Sequence, residues 1–424
     1  MVLSPKIAVI GVFCVVYVFL AVSHRFKGLA VWVGAGILFV LGAITPGDAL
    51  SSINWNVMGI FWGALIVAEL FVYSKVPAYL AEWLVNRSTS VGMAFLLVSA
   101  LSGIISAFVE NVATVLIVAP VALAIAARIR VSPVPLLIGI AISSNLQGAA
   151  TLIGDPPSMI LAGYTGMTFN DFFFFQGRMS IFFAIELGAL ASLIVLYVIF
   201  RGHRERARIP PETVIESWVP TGLLAGMTLA LAVSSGAAAR IPNLGGIICM
   251  VFAVAGLVWQ TARQKERSLT VLKNFDWETT FFLAGIFVLV GSLVAHGVVN
   301  DIADKIARLS GGSVFATYSL LVWLSVFVSA FVDNVPYVTA MIPVGQTIAA
   351  GIGMSPYLFL FGVLIGASIG GNITPIGAAA NVVAVGMLRK RGHHTNFFEF
   401  ARIGFPFSVI AVAVASAFIW GVWG

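Results

Sequence analysis

Charge is what this chain has least of. Only 9% of its 424 residues are Asp, Glu, Lys or Arg, where a soluble domain carries about 25%, so an ordinary water-soluble fold is excluded. Cysteine is nearly absent. Cys14 and Cys249 stand in separate apolar segments, which excludes a disulfide framework and argues against a thiolate metal site. Long polar stretches are missing as well: Arg201–Glu216 and Arg263–Asp276 are the longest, and both are too short to fold alone. No Walker motif, haem-ligand pair or nucleophile–base arrangement can be read. The expectation is a protein that is no enzyme and holds no cofactor or metal. An ATPase subunit, if one drives it, is a separate chain.

Apolar residues make up 60% of the sequence, and runs of about 18 or more, long enough to cross a hydrocarbon core, recur from end to end. In such a chain the formal charge of +6 reports loop orientation before it suggests nucleic acid, which is not expected as a partner. The first run, Ile7–Val22, ends in a small-residue pattern like that of a signal peptide. It is read as a permanent helix because the internal repeat requires it.

The sequence matches itself at a shift of 223 residues: SAFVENV at 106–112 returns as SAFVDNV at 329–335, and Pro120, Ser132-Pro133 and Gly154 return as Pro343, Ser355-Pro356 and Gly377. Between Ser90–Gly154 and Ser313–Gly377, 27 of 65 positions are identical without a gap. The expected organisation is a first repeat at 1–205, a cytoplasmic linker at 206–217 and a second repeat at 218–424. In the first repeat, spans near 7–22, 29–44 and 57–74 precede an amphipathic interfacial stretch, Val76–Val85, whose counterpart is Val299–Leu309. The apolar run 92–127 is too long for one crossing and has its polar residues in the middle, which predicts a re-entrant hairpin. Segment 134–163 is a helix broken by glycine and proline, and the last span lies near 179–200. Five crossings per repeat make the second repeat inverted. Only Lys6, Arg178, Arg240, Lys305 and Arg308 then fall on one face; the other 18 of the 23 Lys and Arg fall on the opposite one. The positive-inside rule makes that face cytoplasmic and puts both termini outside the inner (plasma) membrane.

Ionisable groups inside a bilayer are costly, and each is a candidate site. Glu69, Glu110, Asp155, Glu186 and Asp333 fall within spans or hairpins, and no Lys or Arg is expected there. Glu110-Asn111 and Asp333-Asn334 occupy equivalent hairpin tips, where helix ends present opposed partial charges. The acid-Asn pair also suits a helix cap. Thr114 lies one turn beyond the first tip. The broken helices contribute Ser144, Asn145, Thr151 and Asp155 in the first repeat and Asn372, Thr374 and Asn381 in the second. Glu69 and Glu186 lie outside the repeated motifs, and His296, Cys14 and Cys249 are read as packing or interfacial residues. At the tips burial favours the neutral acid and the neighbouring helix N-terminus favours the carboxylate. A proton or a bound cation is the expected means of neutralising each acid.

SAFVENVATVLIVAP (106–120), NLQGAATLIGDPPS (145–158), SAFVDNVPYVTAMIP (329–343) and GGNITPIGAAANVV (370–383) together resemble the ion transporter superfamily, in its arsenite permease, sodium–proton antiporter and melanosomal P protein branch. That branch is distantly similar to sodium–dicarboxylate carriers. The resemblance covers nearly the whole chain. It implies an all-α polytopic membrane protein of elevator type, with a static scaffold, a moving transport domain, and a homodimer formed through the scaffold. Dicarboxylate relatives carry Ser-Asn-Thr at the tips; here acid replaces Ser and Val112 and Val335 replace Thr, which speaks against a dicarboxylate substrate. The function implied is proton-coupled efflux of a small inorganic substrate, arsenite or antimonite. The alternatives are sodium–proton antiport, with sodium as the coupling ion, or an anion conductance.

Overall fold

In a computed structural model the protein is helical almost throughout; residues 4–23, 26–205, 213–238, 241–263, 271, 273 and 275–424 are described. In chain order the helices are α1 Pro5–Val22, α2 Lys27–Val40, α3 Pro46–Ser52, α4 Trp55–Tyr73, α5 Val76–Arg87, α6 Val91–Ser106, α7 Asn111–Ile129, α8 Val134–Gly148, α9 Pro156–Thr165 and α10 Ile181–Phe200. They continue with α11 Val219–Ser234, α12 Leu244–Arg263, α13 Trp277–Ala295, α14 Val298–Leu309, α15 Val314–Ser329, α16 Asn334–Ile352, α17 Tyr357–Gly370, α18 Ala379–Lys390 and α19 Phe397–Trp423. Among the described residues, eight helices are long and apolar enough by themselves to cross a membrane. Seven lie in expected spans. The eighth is α16, the second arm of the expected second hairpin. Part of the linker, 206–212, and the side chains behind several orientation assignments (Arg25, Arg128, Arg206, Arg208, Arg240, Lys265, Arg267) lie outside the described residues.

The interfacial stretches are helices of their own, α5 and α14, and the chain turns by 117° between α14 and α15. Both hairpin segments break where the polar pair stands, α6 ending at Ser106 and α15 at Ser329. The interrupted helices break where glycine is sterically required. A Cβ on Gly154 would lie 2.5 Å from the Gly148 carbonyl oxygen and 2.6 and 2.9 Å from those of Ser106 and Ala107. A Cβ on Gly377 would meet the carbonyl oxygens of Gly371, Ser329 and Ala330 at 2.5, 2.8 and 2.9 Å. Only a residue without a side chain allows the hairpin tip to press against the broken helix so closely. The Thr151 hydroxyl donates to the Ala107 carbonyl, and 223 residues on the Thr374 hydroxyl donates to that of Ala330.

Packing sorts the helices into two sets. In one, α4 lies against α12 and α11, and α2 against α13 and α1. In the other, α6, α7 and α18 surround α8, while α15, α16 and α19 surround α17 and α10 lies along α19. The sets meet where α4 touches α7 and α9 and where α13 touches α16. Sequence reading missed a two-stranded ribbon, Phe174–Phe175 with Arg178–Met179, closed by Gln176 and Gly177 at positive φ.

Candidate functional site

The two hairpin tips and the first helix break face one cavity of about 70 Å³ between the helix sets. Glu110, Asn111, Asn145, Asp155, Asp333 and Asn334, all expected site residues, line it. Each tip acid is the N-cap of the arm that follows: Glu110 Oε2 accepts from the Ala113 N–H at 3.0 Å and Asp333 Oδ1 from the Val335 N–H at 3.1 Å. Each carboxylate thus caps its arm through one oxygen while its residue also lines the cavity. Asp155 sits at the N-cap position of α9 but makes no side-chain cap bond. It is 2% exposed, and its Oδ2 has no hydrogen-bond partner. A buried acid oxygen left so is unusual.

Asn145 joins the repeats. Its Oδ1 accepts from Asn111 Nδ2 at 3.0 Å, and its Nδ2 donates to the Ser368 carbonyl at 2.8 Å and to Asn372 Oδ1 at 2.9 Å. Asn372 in turn donates to the Ile142 carbonyl at 3.0 Å. The remaining expected residues hold backbone and do not line the cavity. Ser144 Oγ donates to the Asn111 carbonyl at 3.1 Å, Thr114 Oγ1 to that of Glu110 at 3.2 Å, and Asn381 Nδ2 to those of Gly371 and Thr374 at 3.0 Å each. With Thr151 and Thr374 they fasten the breaks.

One expectation is overturned. The charge pattern places Lys27 on a loop face and leaves the acids without a basic partner, yet the Lys27 ammonium forms an ion pair with Asp333 Oδ2. The physical reason is reach. Lys27 opens α2, and its four-carbon stem carries the charge to the Asp333 tip. Asp276, Thr279, Phe61, Leu65 and Phe282 also line the cavity and were not singled out. Asp276, the last residue of the polar stretch Arg263–Asp276, is the N-cap of α13, accepting from the Thr279 N–H at 2.9 Å. The cavity thus presents four carboxylates, Glu110, Asp155, Asp276 and Asp333, to one ammonium.

Glu69 and Glu186 lie elsewhere with local partners, Tyr73 for the first and Gln147 Nε2, at 2.8 Å, for the second. The His296 ring Nδ1 lies 2.9 Å from the Ser292 carbonyl of its own helix, and Cys249 is buried against Gly63.

The chain is 31% identical to an uncharacterized transporter of Mycobacterium tuberculosis over 424 residues, 98% of each protein. It is 25% identical to the human P protein, across 87% of this chain and 53% of that one. Among solved structures, the Alcanivorax borkumensis YdaH transporter superposes with a TM-score of 0.57 at 18% identity, covering 88% of this chain and 86% of that one. Neisseria gonorrhoeae MtrF, described as one of a class of antimetabolite efflux pumps, superposes with a TM-score of 0.54 at 14% identity, covering 88% and 82%. The two solved structures are of transporters, and the chain shares their fold. The citrate transporter family model, CitMHS, matches residues 17–254 and 229–423. The chain is a multi-pass membrane protein and a secondary transporter, and it belongs to the CitMHS citrate transporter family of the ion transporter superfamily.

Proposed function

We propose that the protein exports a small, uncharged hydroxylated inorganic solute, arsenite or antimonite, in exchange for protons. The observation that carries this reading is the size and charge of the cavity. About 70 Å³ is room for roughly five water molecules at 10–15 Å³ each. A compact trihydroxide is of that order; a tricarboxylate is far larger. Four carboxylates against one ammonium repel a polyanion, whereas the amides of Asn111 and Asn334 offer a neutral solute both donors and acceptors. Carboxylates that gain and lose protons supply the coupling. The site residues in this reading are Glu110, Asn111, Asn145, Asp155, Asp333 and Asn334, with Thr114, Ser144, Thr151, Asn372, Thr374 and Asn381 holding the breaks in shape.

The helix set containing α6 to α10 and α15 to α19 is the moving domain in this proposal, and the set containing α4, α12 and α13 is the scaffold. The two inverted repeats and the linker at 206–217 divide the chain as the sequence shift suggests. With both termini outside the plasma membrane, Lys27 and Asp276 start their helices at the cytoplasmic side, so the cavity is the inward-facing one. Exposed apolar residues on the scaffold helices, Val15, Val18 and Val22 on α1 and Val251 and Val254 on α12, suit lipid and a homodimer contact.

A second reading, sodium–proton antiport, is favoured by the acid excess alone, since a site that accommodates an ammonium accommodates another cation. One panel separates the two. Everted vesicles with an acid lumen are supplied in parallel with arsenite, sodium, citrate or buffer. Arsenite accumulation that a protonophore abolishes supports the proposal. Sodium accumulation without arsenite supports the second reading, and citrate accumulation overturns both.

A further inference from the structure

We propose that Lys27 is the resident counter-cation of Asp333, a tethered ammonium that fills in this state the place a coupling proton or cation takes when the helices carrying Asp333 move. The inference deepens the transport reading above and rests on it for the moving domain, but not for the substrate. Lys27 is fixed to the scaffold set. Its backbone N–H donates to Glu278 Oε1 at 3.0 Å, and its ammonium lies 5.7 Å from the centre of the Phe282 ring, both on α13. Asp333 heads α16 in the other set. Of the described salt bridges it is the one at the cavity; Lys6–Asp301 and Lys75–Glu216 lie outside it. Side-chain exposure is 16% for Lys27 and 10% for Asp333, so neither charge has water enough to be satisfied alone.

The device is asymmetric. Shifting Lys27 by the repeat length of 223 lands on Met250, an apolar residue, and among the described residues no Lys or Arg pairs with Glu110. The charged or titratable groups facing Asp333 are Lys27, Glu110, Asp155 and Asp276 across the cavity, with Tyr17 close enough to interact electrostatically. Lys27 is the single cation among them. Moving Asp333 away from Lys27 bare would leave a carboxylate unpaired in a low-dielectric setting, which is strongly disfavoured. Exchanging the ammonium for a proton or a small cation removes that barrier. The pair therefore prevents the empty domain from slipping and makes movement conditional on ion binding. It also lowers the apparent affinity for the coupling ion, because the ion finds Asp333 available only in the fraction of molecules where Lys27 has left it.

The test needs no substrate. Full-length protein in detergent is melted at constant ionic strength over a range of sodium concentrations, and separately over a range of pH, for wild type, Lys27→Met, Lys27→Arg and Asp333→Asn. If Asp333 is free of Lys27 in about a tenth of molecules, Lys27→Met reaches half of its ion-dependent stabilisation at roughly tenfold lower concentration of the effective ion. Lys27→Arg keeps the charge and stays within about twofold of wild type on the same basis, and Asp333→Asn loses the response. Should Lys27→Met fail to fold, Lys27→Gln against Lys27→Arg makes the same comparison. An unchanged midpoint in the uncharged variant, a response that survives in Asp333→Asn, or no response to either ion in any protein overturns the proposal. Failure of arsenite export with the tenfold shift intact would overturn the substrate reading and leave this one standing.

Discussion

Replacing Asn145 by alanine tests whether the two repeats are held together at the site by one side chain. The substitution removes three hydrogen bonds, one accepted from Asn111 and two donated to Ser368 and Asn372. It leaves an amide nitrogen, a carbonyl and an amide oxygen facing an apolar gap at a position with no solvent exposure. A buried hydrogen bond contributes about 0.5–1.5 kcal/mol net, and about 0.6 on average inside membrane proteins. Three of them give a loss of roughly 2–4 kcal/mol. At about 2–4 °C per kcal/mol for chains of a few hundred residues, the midpoint of thermal denaturation in detergent falls by on the order of 5–15 °C. Transport falls with it, because Asn111 loses the partner that orients it toward the cavity. Asn145→Asp keeps the size but points oxygen at two acceptors, so it is expected to be at least as damaging. A variant carrying alanine at 145 that melts and transports like wild type would refute the view that this amide is the joint.

Further outcomes follow from the same geometry. Gly154→Ala and Gly377→Ala force a methyl group into backbone carbonyls at 2.5–2.9 Å and should each abolish transport and lower the yield of folded protein, as a size-exclusion profile would report. Gly36→Ala, with nothing within 4 Å of the added carbon, should leave both unchanged. Thr151→Val removes the hydroxyl bond to Ala107 at the same volume and should cost about 1 kcal/mol in a detergent unfolding titration. Glu186→Gln, an acid outside the cavity bonded to Gln147, should transport within about twofold of wild type in vesicles, since a group remote from the site leaves its binding energy unaltered.

Much of the candidate site's geometry was legible because the repeat marks it twice. SAFVENV and SAFVDNV located both tips, and the glycines and prolines located both breaks. What escaped had no counterpart at a shift of 223. Lys27 corresponds to Met250, so nothing in the repeat drew attention to it, and its charge enters the cavity only through the length of its side chain. Asp276 lay in a charged connection, where an acid is ordinary and an N-cap cannot be told from a loop residue without the helix start. The bond between Asn145 and Asn372 was likewise hidden. Both residues were candidates, but Asn145 corresponds to Ser368 and Asn372 to Ala149, so the shift does not relate them. Their pairing arises from how the two breaks cross in space.

The central claim is that carboxylates in this cavity take up and release the protons that drive transport, and Glu110 is its cleanest probe because it has no basic partner among the described residues. Purified wild type and Glu110→Gln are reconstituted into proteoliposomes, and arsenite uptake is followed with and without an imposed acid-inside gradient. The account predicts uptake that the gradient accelerates in wild type and that is insensitive to the gradient in Glu110→Gln, with identical size-exclusion profiles. Equal acceleration by the gradient in both proteins would contradict it.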